Sequence, residues 1–143
     1  MTAREKEEFV AAFTPGGSGV RGFAVCGGSF SESIDLAGDR LVGALIFGVG
    51  LPQVNVFNDT IREYFEAKLG NGYAWAYLYP GLNRALQAAG RVIRSEDDRG
   101  FVCFIDERYG TEEYRRLLPE RWVLKSIREP GDFARELPAG LAG

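Results

Sequence analysis

Two short apolar runs limit most strongly how this chain can fold. Leu41 to Val49 reads LVGALIFGV, and Phe101 to Asp106 reads FVCFID. Continuous runs of this length, with no polar alternation, suit strands covered on both faces of a sheet. A third run, Gly22 to Gly27 (GFAVCG), is bounded by glycines and reads as another buried strand. Helical patterns separate the last two. One is expected from about Asp59 to Leu69, with Thr60 and Glu63 at capping-box spacing and Ile61, Tyr64, Phe65 and Leu69 as its apolar stripe. Gly70-Asn71-Gly72 closes it, and a second helix is expected from Leu82 to about Arg94. Strands alternating with helices predict an α/β domain with a mainly parallel sheet.

The rest of the chain is shorter-range. Residues 3–13 read as a helix with Phe9, Val10 and Phe13 on one side, stopped by the glycine-rich turn after Thr14. Glu112 to Leu118 reads as a short helix capped by Thr111 and stopped by Pro119, with Trp122 packing the last turn onto the core. Tyr73, Trp75, Tyr77 and Tyr79 alternate, which suits one face of a half-buried extended segment or a stacking platform for single-stranded bases. One domain is expected over residues 1–129, with a poorly ordered tail over 130–143, rich in Gly, Ala and Pro. The chain opens on a helix where an α/β unit ordinarily opens on a strand, so it reads as N-terminally truncated.

Composition excludes several classes of chemistry. There is no histidine among the 143 residues, so a self-contained Ser-His-Asp or Cys-His hydrolase is ruled out. Two cysteines, Cys26 and Cys103, cannot make a disulfide framework or a four-cysteine zinc site; both sit in apolar runs and read as buried core thiols. No apolar run approaches the roughly 18–20 residues of a membrane span, and Met1 to Glu8 is charged rather than signal-like. The expected compartment is the cytoplasm, with no membrane partner. The net charge of −3 does not advertise nucleic-acid binding, but arginines gather between Arg84 and Arg99, which leaves room for a local basic patch.

The chemistry concentrates on the helix after Leu82. On an ideal helix Gln87, Arg91 and Arg94 fall within about 60° of one another. Asn83 and Arg84 join them, while Leu82, Ala85, Leu86, Ala89, Val92 and Ile93 form the opposite, core-facing stripe. Two arginines about one turn apart, with no acid on that face, make a fork suited to phosphate oxygens. The alternative is a solvated face making surface ion pairs with Glu96 or Asp97. Gly90 costs a helix interior about 1 kcal/mol relative to alanine, which calls for a reason such as close approach of a backbone or ligand.

These residues resemble a known set. Gln87 to Arg94 (QAAGRVIR) is similar to the last motif, Q-x-x-G-R-x-x-R, of superfamily 2 helicases. Gly28 to Asp35 (GSFSESID) resembles motif V of their DinG/XPD-type branch, G-x-x-x-E-G-I-D, with Ser33 where that family has glycine. Gly38-Asp39-Arg40-Leu41, Gly50-Leu51-Pro52, Tyr77 to Gly81, Asp97 to Gly100 and Asp106-Glu107-Arg108 follow in the same order, so the resemblance covers about residues 9–122.

The resemblance implies a RecA-like, P-loop NTPase-type three-layer domain, the second motor domain of an ATP-dependent DNA helicase, without its motif IV strand. It implies that Arg91 and Arg94 face the γ-phosphate of ATP, with Arg94 as the finger, that Gln87 hydrogen-bonds near the nucleotide or the opposing domain, and that Gly90 lies beside the nucleotide. Gly28 and Ser29 would approach a phosphate of single-stranded DNA, while Glu32 and Asp35 orient the loop or accept from Arg91 or the ribose. ATP and Mg²⁺ would be held mainly by the first RecA-like motor domain, the implied partner upstream. In keeping with that, the chain has no Walker A loop, no Asp-Glu pair expected to hold Mg²⁺ in the usual way and no expected metal site of its own. Two other readings stand beside it. One is a stand-alone, non-catalytic RecA-like interaction domain, favoured by Ser33 and the net acidity. The other, an unrelated α/β nucleotide-binding domain, lacks a glycine-rich loop that opens directly into a helix.

Overall fold

A computed structural model describes residues 2–16, 19–28, 36, 40–93 and 100–137. Strands β1 (Gly43–Phe47) and β2 (Phe101–Ile105) pair in parallel, with Gly43 opposite Phe101 and Phe47 opposite Ile105. Both fall inside the expected apolar runs, and helices α2 (Val56–Leu69) and α3 (Tyr79–Ala89) form the crossover between them. Helix α1 (Ala3–Ala11) precedes the sheet. A 3₁₀ turn (Glu107–Gly110), α4 (Glu112–Arg115) and α5 (Pro130–Glu136) follow it. The architecture is mixed α/β.

The core lies on one face of the sheet. Leu78, Leu82, Ala85 and Ala89 form a stripe at helical spacing, each at most 3% exposed, and pack with Ile46, Tyr109, Tyr114 and Leu118. Val102 and Phe104 of β2 lean on that cluster, and Trp122 stacks on Phe104 with ring centroids 5.9 Å apart, as its position after Pro119 suggested. The other face does not match the expectation of a strand covered on both sides. Leu45, Phe47 and Ile105 are 49%, 68% and 40% exposed, and Phe133 of α5 packs edge-on against Phe101. The apolar run is real, but much of that face stays exposed.

Several expected elements differ from those observed. Gly22–Gly27 is not a strand: Phe23 and Val25 are largely exposed, and no strand among the described residues pairs with it. A short apolar run becomes a strand only when a ladder partner is present. Helix α2 starts earlier than the pattern suggested, at Asn55, whose side chain accepts from the Asn58 amide at 2.9 Å. Thr60 is not a cap; its hydroxyl donates back to the Val56 carbonyl from inside the helix.

The aromatic segment is helical rather than extended. Ala74–Leu78 is a π-helix, and its rings pair four residues apart, Tyr73 on Tyr77 and Trp75 on Tyr79. Trp75 also stacks on Phe65 of α2, and the Tyr77 hydroxyl donates to Asp59 at 2.9 Å. Alternation here marks ring pairing along and between helices, not a strand. The cysteines are half-buried rather than buried, with the Cys103 thiol pushed up by burial. The tail expected from Pro130 begins with α5, held by Phe133 against Phe101 and by a Lys125–Glu136 ion pair of 2.6 Å.

Candidate functional site

Helix α3 reaches its place because two glycines let its backbone touch the loop after β1. A Cβ at Gly81 would stand 2.8 Å from the Val49 carbonyl oxygen and 3.0 Å from Leu51 Cα. At Gly50, whose φ is +64°, a Cβ would stand 2.8 Å from the Gly81 carbonyl oxygen. Backbone therefore meets backbone at the C-terminal end of β1, the end of a parallel sheet where α/β proteins place their ligands. The Tyr109 hydroxyl donates to the Gly48 carbonyl at 3.0 Å and ties the turn after β2 to the same end. Burial raises the Tyr109 pKa, and so keeps that hydroxyl a donor.

The motif at the end of α3 is not the straight helical face that the spacing predicts. The α-helix stops at Ala89, with Gly90 as its C-cap in right-handed backbone. The Arg91 amide then donates to Ala88 and the Val92 amide to Ala89, so the last turn tightens. Glycine lowers the cost of leaving the helix there. Among the described residues no backbone from another element crowds Gly90: a Cβ would meet carbonyls of its own helix at 3.4 Å and beyond. Gln87 is exposed on α3, Arg91 is half-buried on the tightened turn, and Val92 is buried against Gly100. Ile93, expected in the core stripe, is 47% exposed because the helix has ended before it. Arg94, Glu96 and Asp97 lie outside the described residues.

Of the loop that resembles motif V, Gly28 is described, and Ser29, Glu32, Ser33 and Asp35 lie outside the described residues. The Gly28 amide donates to the Val25 carbonyl at 3.0 Å, closing a turn at the loop's entrance. That turn rests on α3. A Cβ at Gly27, with φ of +78°, would stand 2.7 Å from Arg84 Cδ and 2.9 Å from its Nε. Arg84 in turn donates from Nη1 to the Gly50 carbonyl at 3.3 Å. Sequence reasoning placed Arg84 only as a neighbour on the helix face. Its role needs Gly27 and Gly50 brought together in space, which no local pattern records.

A second charged group sits at the C-terminal end of β2. Asp106 caps the 3₁₀ turn by accepting from the Arg108 amide at 3.0 Å, and the Arg108 guanidinium forks onto the same carboxylate at 2.8 and 2.7 Å. The fork holds the Asp106 carboxyl below its ordinary range and raises the Arg108 pKa. Among the described residues no three His, Cys, Asp or Glu side chains gather as metal ligands, and no helix is long and apolar enough to cross a membrane.

Comparison with known proteins places this arrangement. The helicase C-terminal domain family matches residues 1–124. The chain is 34% identical over 120 residues to the general transcription and DNA repair factor IIH helicase subunit XPD of Arabidopsis thaliana, which is 79% of this chain and 15% of that protein. It is 36% identical over 93 residues to the ATP-dependent DNA helicase DinG of Photobacterium profundum, 64% of this chain and 13% of the relative. It is 30% identical over 128 residues to the human regulator of telomere elongation helicase 1, 83% of this chain and 10% of the relative. The chain thus spans a small fraction of the length of the relatives it matches.

Proposed function

This chain belongs to the helicase C-terminal domain family, of the DinG/XPD type within superfamily 2, and from that premise we propose that it is the C-terminal motor half of an ATP-dependent DNA helicase. The family's domain is RecA-like. The observation that carries the reading is the match over residues 1–124 to a helicase domain, with Gln87 exposed on α3 and Arg91 on the turn that follows it.

In this reading ATP lies between this domain and a first RecA-like domain that holds most of the nucleotide and its Mg²⁺. Among the described residues no three His, Cys, Asp or Glu side chains gather, and the metal is left mainly to the first domain. Arg94 acts as the finger and Arg91 as its companion, placing fixed positive charge where the transferring phosphoryl group spreads its negative charge. Gln87 and Gly90 border the nucleotide, with Glu32 and Asp35 shaping the loop between nucleotide and DNA. Gly28 and Ser29 bring that loop to a phosphate of single-stranded DNA, a contact that fixes register without reading sequence.

The test is ATP turnover by the natural polypeptide that contains this chain, with and without single-stranded DNA. Arg94→Ala should lower turnover by at least about 10³-fold, the scale of an arginine finger, with the far-ultraviolet circular dichroism unchanged. DNA binding should weaken steeply with salt. Turnover that survives Arg94→Ala removes the finger assignment, and clear turnover by the isolated 143-residue chain removes the two-domain reading.

A further inference from the structure

Three separate stretches of the chain meet at one arginine. The stem of Arg84, from Cγ to Nε, fills the space beside Gly27 that any side chain at that position would need. Its Nη1 reaches past that contact to the Gly50 carbonyl. Gly50 itself backs onto Gly81, one turn before Arg84 on the same helix. The turn at residues 26–28, the loop after β1 and helix α3 are therefore joined through a single half-buried side chain. The two left-handed glycines are the positions at which the backbone comes close enough for one guanidinium to serve both.

We propose that Arg84 is a positioning residue that couples the end of α3 to the loop entered at Gly28. The inference rests on the functional reading above, in which α3 leads to the nucleotide-facing arginines and the loop faces a DNA phosphate. Arg84 acts through these contacts rather than on either ligand. It sets the angle between the two elements, so a shift of α3 with the nucleotide state moves the turn at Gly27 and Gly28 with it. An arginine suits this task because its long stem packs while its planar head donates in a fixed direction.

The experiment compares wild type, Arg84→Ala and Arg84→Lys in the natural polypeptide. The readout is the ratio of DNA-stimulated to unstimulated ATP turnover. A merely structural role would reduce the amount of folded enzyme, scale both rates and leave the ratio unchanged. Coupling predicts that Arg84→Ala lowers the ratio by about tenfold, the scale of one hydrogen bond from a charged donor. Arg84→Lys, which keeps the stem over Gly27, should recover part of it, and carries the test if the alanine variant does not fold. An unchanged ratio in both variants overturns the proposal.

A second readout separates this inference from the reading beneath it. Amide exchange at Gly28, whose N–H is held by Val25, should quicken by about tenfold in Arg84→Ala while core amides at Leu78 and Ala85 keep their rates. If wild type shows no DNA-stimulated turnover, the helicase reading falls. Faster exchange at Gly28 then still supports Arg84 as the residue that positions the turn, and unchanged exchange overturns it.

Discussion

Replacing Gly50 with alanine tests the backbone contact on which the site stands, and its cost can be worked from two separate causes. Gly50 has φ of +64°, where an L side chain pays about 1–2 kcal/mol for the left-handed conformation. The new Cβ would also stand 2.8 Å from the Gly81 carbonyl oxygen. Both groups belong to backbone, so the helix or the loop must move, an overpacking cost of roughly 1–3 kcal/mol. Together they predict a loss of about 2–5 kcal/mol, against the 5–15 kcal/mol that typically holds a domain together. Gly48 supplies the control: its φ is +76° and nothing lies within 4 Å of its Cβ position. Gly48→Ala should therefore lose only the conformational part, about 1–2 kcal/mol. Urea unfolding followed by circular dichroism measures both. Equal losses in the two variants, with no excess at position 50, would refute the close approach of α3 to the loop after β1.

Other outcomes follow from the same end of the sheet. Tyr109→Phe removes the donor to the Gly48 carbonyl and keeps the ring among Phe104 and Tyr114; unfolding should show a loss of about 0.5–1.5 kcal/mol, and a neutral variant would mean that the bond contributes nothing. The Asp106 carboxyl is depressed by the Arg108 fork from its ordinary 3.8, so its stabilising effect is fully present above that value and fades as pH falls through the lower, folded-state pKa. The stability gap between wild type and Asp106→Asn should be constant from neutral pH down to the ordinary carboxylate range and close below it; a gap that persists in strong acid would exclude the ion pair as its source.

The sheet and the helices between its strands were legible from the chain because β1 and β2 carry their signal in consecutive residues. Phe101–Ile105 and Gly43–Phe47 are apolar enough to be recognised alone. Gly22–Gly27 carries the same signal and forms no strand, since a ladder needs a partner that local sequence does not supply. Thr60 and Glu63 matched a cap at the right spacing, but Asn55 begins the helix one turn earlier. The arginine motif was visible as chemistry, whereas its geometry was not: a regular 100° step places Gln87 and Arg91 on one straight helix, and the chain leaves that helix at Gly90. Arg84 was the least legible of all. What it does depends on Gly27 and Gly50, 57 and 34 positions before it in the sequence.

The π-helix at Ala74–Leu78 bears on how this site tolerates insertions and deletions. Its closing bond runs from the Tyr79 amide to the Ala74 carbonyl, so the segment holds an extra residue that an α-helix in the same space would not. One residue corresponds to about 100° of rotation about the helix axis. A single-codon deletion here would close the bulge into an ordinary α-helical turn and leave Arg84 facing Gly27 and Gly50, whereas the same deletion between Tyr79 and Arg84 would turn Arg84 about a quarter revolution away from them. Among related sequences, the length of this segment is then free to differ by one residue, while the spacing from Tyr79 to Arg84 is not.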